Sequence, residues 1–308
     1  MKYLQIIRYQ NLLMLALMQL IIRYGFLKPQ HIDLALADWQ YALLILSTVL
    51  IAAAGYVIND IFDQQTDQQN KPSKVIVGTK ISEERAYYLY ATLNVTGVVL
   101  GFYIANAIGR PSFAAVFILI AATLYFYATS LKQMMIIGNL VIAIVLSLSI
   151  LIVVVFDIFP ATYQDNRQVM MTVSSVLFDY AVFAFLINFI REIVKDLEDV
   201  NGDYNQGMNT LPIALGVSRT ARIVFFLSLL PIVILLYYVN KHFFSNNLYL
   251  SVIYVLILVV APLIYFSIKM WSAKNQKDFN HLSLVLKLII LFGIVSMAVV
   301  SYNILHHV

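Results

Sequence analysis

The 308 residues predict an all-α, polytopic membrane protein, nine transmembrane helices bundled around a central cavity, and three observations carry that expectation. Hydrophobic residues make up 61% of the chain and charged ones 12%, where a soluble domain carries about 25% charged. Apolar stretches recur at the roughly 20-residue length that spans a hydrocarbon core, in which helices satisfy their backbone and open sheets do not. The polar residues gather in short connections between those stretches.

The first stretch, 7–27, follows a basic start, lacks a small-residue cleavage site and reads as a retained first span. The second, 38–60, runs into Asn59-Asp60-Ile61-Phe62-Asp63-Gln64-Gln65-Thr66-Asp67. Spans at 86–108, 112–129 and 134–156 follow, with Lys132 the only basic residue in its connection. The sixth, 174–196, ends on Lys195-Asp196-Leu197-Glu198-Asp199-Val200-Asn201-Gly202-Asp203, and 219–239, 248–270 and 282–304 complete the set. The acidic segments follow the second and sixth spans, so the single domain, 1–308, reads as two pseudo-repeated four-helix halves with cytoplasmic caps plus a ninth helix.

Placing the N-terminus and the connections after even-numbered helices on one side gives that side Lys2, Arg8, Lys71, Lys74, Lys80, Arg85, Lys132, Arg191, Lys195, Arg219, Arg222, Lys269, Lys274 and Lys277. The other side keeps Arg23, Lys28, Arg110, Arg167 and Lys241, and Lys287 falls inside the last span. The positive-inside bias therefore predicts a cell (inner) membrane protein whose N-terminus, acidic segments and site opening are cytoplasmic. A net charge of +4 raises nucleic acid as a partner, but the basic residues form no stripe or tail, so none is inferred. Cysteine is absent, which excludes disulfides and thiolate chemistry.

On a continuous helix, Asn59, Asp63 and Asp67 share one face at i, i+4 spacing, and Asp199 and Asp203 repeat it with Asp196 one turn earlier. Aspartates converging at a low-dielectric rim repel unless cations intervene. Oxygen donors without nearby His or Cys select Mg²⁺ or Mn²⁺ over zinc, and Mg²⁺ completes its shell with water and substrate phosphate. The two clusters, with six aspartates and Asn59 between them, are thus the candidate metal sites. Around them stand cations suited to a diphosphate: Arg8, Lys71, Lys74, Lys132, Arg191 and Lys195. A metal-held diphosphate on an allylic carbon is a leaving group, and a dry pocket walled by aromatics such as Tyr125, Phe126, Tyr127, Phe183, Phe185 and Phe189 suits the carbocation. An acceptor hydroxyl needs a base, for which Asp60 and Asp196 are candidates.

These segments resemble the UbiA superfamily of intramembrane prenyltransferases across nearly the whole chain. The matching pieces are Arg8 and Asn11 (RxxN), Asn59 to Asp67 (NDxxDxxxD), Asn70 to Pro72 (NKP), Tyr127 to Lys132 (YxxxLK), Gly138-Asn139, and Arg191 to Gly216. The last piece is closest in style to the branch containing digeranylgeranylglyceryl phosphate synthase and chlorophyll synthase. The resemblance implies Mg²⁺ bridging a prenyl diphosphate to both acidic segments and a lateral opening to membrane lipid. It puts Asn59, Asp63, Asp67, Asp199 and Asp203 on Mg²⁺, directly or through water, Lys74, Lys132, Arg191, Tyr127 and Arg8 on the diphosphate, Asp60 and Asp196 in supporting or proton-accepting roles, and Gly207, Thr210, Pro212 and Gly216 in a shaping loop. Relatives often carry Arg where Lys74 stands, and lysine lacks the bidentate fork.

The expected reaction is transfer from an allylic donor such as geranylgeranyl diphosphate to a lipophilic acceptor, foremost a prenylglyceryl phosphate hydroxyl, with no obligate protein partner. The alternative acceptor is an aromatic quinone precursor or another polycyclic compound. A CDP-alcohol phosphatidyltransferase fits poorly, because Ala221-Arg222 lies well beyond the aspartates. A cation transporter predicts carboxylates near the bilayer midplane rather than at its rim.

Overall fold

The structure is a computed structural model that describes residues 2–70, 72 and 75–306. Among these residues, nine helices are long and apolar enough to cross a membrane: α2 (Tyr9–Gln30), α3 (Asp38–Phe62), α5 (Glu83–Ala107), α6 (Pro111–Thr129), α7 (Ile137–Ala161), α8 (Arg167–Asn205), α10 (Val217–Asn246), α11 (Tyr249–Ser272) and α12 (Gln276–His306). Three short helices complete the order: α1 (Lys2–Ile6), α4 (Gln64–Asn70) and α9 (Leu211–Leu215). Large apolar side chains face outward along the bundle, Leu119 and Ile268 each being 64% exposed. Hydrocarbon, not water, is the solvent that such a surface matches.

Two large apolar cores lie inside, beside a smaller one around Ile6, Val57 and Ile58. Tyr41, Leu44, Phe117, Phe156 and Leu177 belong to one, and Ile190, Val194, Phe266 and Leu286 to the other. The α8 helix contributes to both and runs between them. It is 39 residues long, about 58 Å at 1.5 Å per residue, against a hydrocarbon thickness of about 30 Å. It starts at 167 rather than 174 and continues past 196 to 205, so the whole second acidic segment is helical.

Close packing elsewhere depends on missing side chains. A Cβ on Gly97 of α5 would lie 2.7 Å from Ile51 of α3, and one on Gly101 would overlap the Phe117 ring of α6. Ser47 of α3 donates to the Gly97 carbonyl at 2.7 Å. Small residues and interhelical hydrogen bonds hold helices together where lipid removes the hydrophobic drive.

At the end of the bundle away from the acidic segments, Arg23 of α2 donates to the Asp157 carboxylate of α7 and to the Leu36 carbonyl at 2.5 Å. Asp157 in turn accepts from the Leu36 amide at 2.9 Å. Arg23 is 2% exposed and Asp157 0%, so each buried charge is neutralised by the other.

At the opposite end, α4 packs on α8 and brings the two acidic segments together. Strand β1 (Met134–Met135) pairs in parallel with β2 (Asn209–Thr210), the one departure from an all-helical fold among named elements. That pairing ties the connection carrying Lys132 to the loop beyond the second segment.

Candidate active site

The first acidic segment is not one continuous helix. The α3 helix stops at Phe62, Asp63 takes φ −91° and ψ 2°, and α4 restarts at Gln64. Even so, Asp63 N donates to Asn59 O at 2.9 Å and Asp67 N to Asp63 O at 2.8 Å, which preserves the i, i+4 succession through the break. Asn59 donates from Nδ2 to Asp63 Oδ2 at 2.5 Å, while Lys132 Nζ pairs with Asp63 Oδ1. Lys132 reaches there because Gly138, opening α7, lets the chain fold closely. A Cβ on Gly138 would lie 2.9 Å from the Leu131 carbonyl oxygen and 3.0 Å from Lys132 Cα.

Arg8 sits at the break between α1 and α2 with φ 50° and ψ 53°, a left-handed conformation rare outside glycine. From there it donates to Asp60 Oδ1 at 2.9 Å and lies 5.0 Å from the Tyr56 ring centroid. Asn11, on the next turn, donates to the Tyr56 hydroxyl at 3.3 Å. The RxxN pair therefore reads the last two turns of α3.

On α8, Asp196 Oδ2 accepts from Asn139 Nδ2 of α7 at 2.8 Å. Glu192, buried and not singled out by the sequence, accepts from Lys195 at 2.5 Å and lies 3.9 Å from Arg191. Its signal was present in Arg191-Glu192-Ile193-Val194-Lys195, where Glu and Lys stand at i, i+3. Glu198 accepts from Asn280 of α12 at 3.0 Å. Tyr127 lies within electrostatic reach of Glu192, Asp196 and Asp63, in the angle between the two segments. Burial, and then the Asp63 charge, push the Asp67 carboxyl above the usual carboxylate range; Lys132 and Arg8 oppose that, and Asp199 adds to it.

The carboxylates of the two segments do not gather around a single point. Among the described residues no three Asp, Glu, His or Cys side chains are close enough to hold an ion between them. Asp63, Asp60, Asp196 and Glu192 are matched instead by Lys132, Arg8, Asn139 and Lys195, since a charge at a low-dielectric rim takes whichever partner is nearest. The donor set still fits Mg²⁺, which needs one or two protein carboxylates and completes its shell elsewhere. Asn59 Oδ1, next to Asp63, is buried without a hydrogen-bond partner, an oxygen with capacity for a cation or its water.

Below this rim opens a cavity of about 960 Å³ of non-atom space, part of it open to solvent. Asn11, Tyr56, Asn188, Arg191 and Lys287 supply its polar wall, and Met14, Met18, Ile22, Phe183, Ile294 and Met297 extend it as an apolar channel. Of the aromatic candidates, Phe183 lines this channel. Phe185 and Phe189 stack on each other at 6.0 Å, and Tyr125 and Phe126 point outward, 40% and 58% exposed. Arg191, expected beside the diphosphate, stands in the cavity wall. Lys71 and Lys74 lie outside the described residues. Gly207 and Gly216 take φ of +68° and +86°, as a shaping loop requires.

Comparison with known proteins agrees with this geometry. The digeranylgeranylglyceryl phosphate synthase of Saccharolobus solfataricus is 34% identical over 233 residues, 75% of each chain. That of Methanobrevibacter smithii is 28% identical over 303 residues, 98% of each. A solved structure concerned with digeranylgeranylglyceryl phosphate synthase in membranes is 27% identical and superposes with a TM-score of 0.66 over 98% of both chains. A UbiA homologue from Archaeoglobus fulgidus bound to DMAPP and Mg²⁺ shares the fold, with a TM-score of 0.62 at 15% identity over 96% of this chain and 99% of that one. The UbiA prenyltransferase family matches residues 16–302, and with the paired acidic segments and the channel beneath them, the chain belongs to that family.

Proposed function

We propose that the protein transfers a geranylgeranyl group from its diphosphate to the free hydroxyl of a prenylglyceryl phosphate. The observation that carries the reading is the joining of two acidic segments directly above a long apolar channel. The names of the curated relatives support the glyceryl phosphate acceptor in particular. The motif end is the cytoplasmic one on this reading, because most Lys and Arg residues of the connections lie there.

Bound Mg²⁺ supplies positive charge to the departing diphosphate. Asn59, Asp63, Asp67, Asp199 and Asp203 would hold it, directly or through water. Lys132, which pairs with Asp63, and Arg8, which pairs with Asp60, supply cationic donors to the diphosphate oxygens on this reading. Tyr127, within electrostatic reach of both segments, orients the same headgroup, and Lys74, outside the described residues, is a further candidate for it. The bond between the allylic carbon and the diphosphate oxygen breaks with its electron pair leaving on the diphosphate. The acceptor oxygen bonds that carbon, and its proton passes to a carboxylate. Asp196 suits that task, because Asn139 fixes one of its oxygens; Asp60, ion-paired to Arg8, is the second candidate. The apolar channel excludes water, which would otherwise capture the carbocation.

The test is incubation of the purified protein with labelled geranylgeranyl diphosphate, Mg²⁺ and a panel of acceptors. Ether product on geranylgeranylglyceryl phosphate is expected. Product on a 4-hydroxybenzoate-type ring alone would replace this acceptor with the aromatic class.

A further inference from the structure

Lys287 stands inside a membrane-spanning helix, and among the described residues no carboxylate pairs with it. It is eleven residues into α12, about 16 Å along the axis, and it lines the cavity beside Arg191 and Asn188. Ionisable side chains at such depth are costly and face a partner or a polar cavity. Among the described residues Lys287 has neither an ion pair nor a side-chain hydrogen bond, and Arg191 is near enough to repel it. Arg191 is itself poorly matched: Glu192 is 3.9 Å away and already holds Lys195, and Arg191 Nε is buried without a partner. Two adjacent cations facing one cavity, one with an idle buried donor, describe a binding site for an anion.

Height along α8 separates this site from the acidic rim. Arg191 precedes Asp199 by eight residues, about 12 Å of helix, and Asp196 falls between them. Anything held at Lys287 and Arg191 therefore lies on the channel side of the candidate base, while a metal-held diphosphate lies on the other.

We infer that Lys287 and Arg191 form a second anion subsite that takes the phosphate of the acceptor lipid, separate from the metal-held diphosphate of the donor. The inference rests on the acceptor reading above and deepens it. It gives the site a means of preferring a phosphorylated alcohol to a neutral one: a neutral acceptor leaves two desolvated cations unmatched. With its phosphate there, the acceptor hydroxyl is presented next to Asp196 and to the allylic carbon.

The experiment uses the full chain in lipid nanodiscs with geranylgeranyl diphosphate, varying geranylgeranylglyceryl phosphate and, separately, its dephosphorylated alcohol. Lys287→Met is expected to raise KM for the phosphorylated acceptor at least tenfold, to leave KM for the donor within twofold, and to erase the preference over the alcohol. Lys287→Arg is expected to restore most of the affinity, and an unchanged melting temperature for both variants excludes a folding effect. A rise in donor KM would assign the site to the donor diphosphate and overturn the proposal, as would unchanged KM for both substrates. Wild-type protein that ignores the phosphorylated acceptor overturns the acceptor reading itself, a result visible before any variant is made.

Discussion

Asp63 accepts from Asn59 through one oxygen and from Lys132 through the other, so its carboxylate is divided between an amide and an ammonium. Removing it leaves Lys132 near the rim without its counter-charge. Asp63→Ala and Asp199→Ala are each expected to cut turnover by at least about 100-fold while the protein stays in the membrane. Product formation per correctly folded molecule is the measurement, and near wild-type rates in either variant would remove these residues from the site. The i, i+4 succession of Asn59, Asp63 and Asp67 was legible in the sequence, and backbone hydrogen bonds keep it across the helix break. Their pairing was not legible: Lys132 is 69 positions from Asp63, and only the approach of α7 to the preceding connection brings them together. Arg8 was read as a diphosphate cation, and no local pattern announces its contact with Asp60 across 52 positions.

Elements were read well at their apolar centres and poorly at their polar ends. The sixth span is longer than its hydropathy because Arg191 to Asp203 continues as helix on packing against α4, α7 and α9 rather than on burial in lipid. The first segment, equally polar, breaks at Asp63 instead. Gly138 exemplifies an element-scale device: its missing side chain sets how closely α7 begins against the Lys132 backbone. Gly138→Ala should force the two apart, costing about 1–3 kcal/mol of packing. The expected readout is a lower melting temperature together with a raised KM for the prenyl diphosphate; an unaltered KM would show that Lys132 keeps its place by other means.

For the whole molecule, stability and chemistry are assigned to opposite ends. The Arg23–Asp157 pair joins α2, α7 and the segment leading into α3, far from the acidic rim. Asp157→Ala leaves the buried guanidinium only the more exposed Asp38 carboxylate, 3.1 Å from Nη2, and should cost about 3 kcal/mol. Unfolding in mixed micelles would measure that loss, while turnover per surviving molecule should hold. The rim behaves in the reverse manner. Chelation of Mg²⁺ in the presence of a prenyl diphosphate should remove about 2.7 kcal/mol of apparent stability if the ligands stand at 100 times their dissociation constants. A melting temperature indifferent to chelator would count against metal binding at these residues. The nine spans were legible from the apolar pattern alone, because a backbone that crosses lipid must satisfy its own hydrogen bonds and runs of some 20 apolar residues do so as helices.

Four residues of parallel strand, Met134–Met135 against Asn209–Thr210, stitch the Lys132 hairpin to the loop that follows Asp203. The two connections therefore share a structural tie, and lesions at Lys132 and in the Gly207–Gly216 loop should compound one another unequally rather than simply sum.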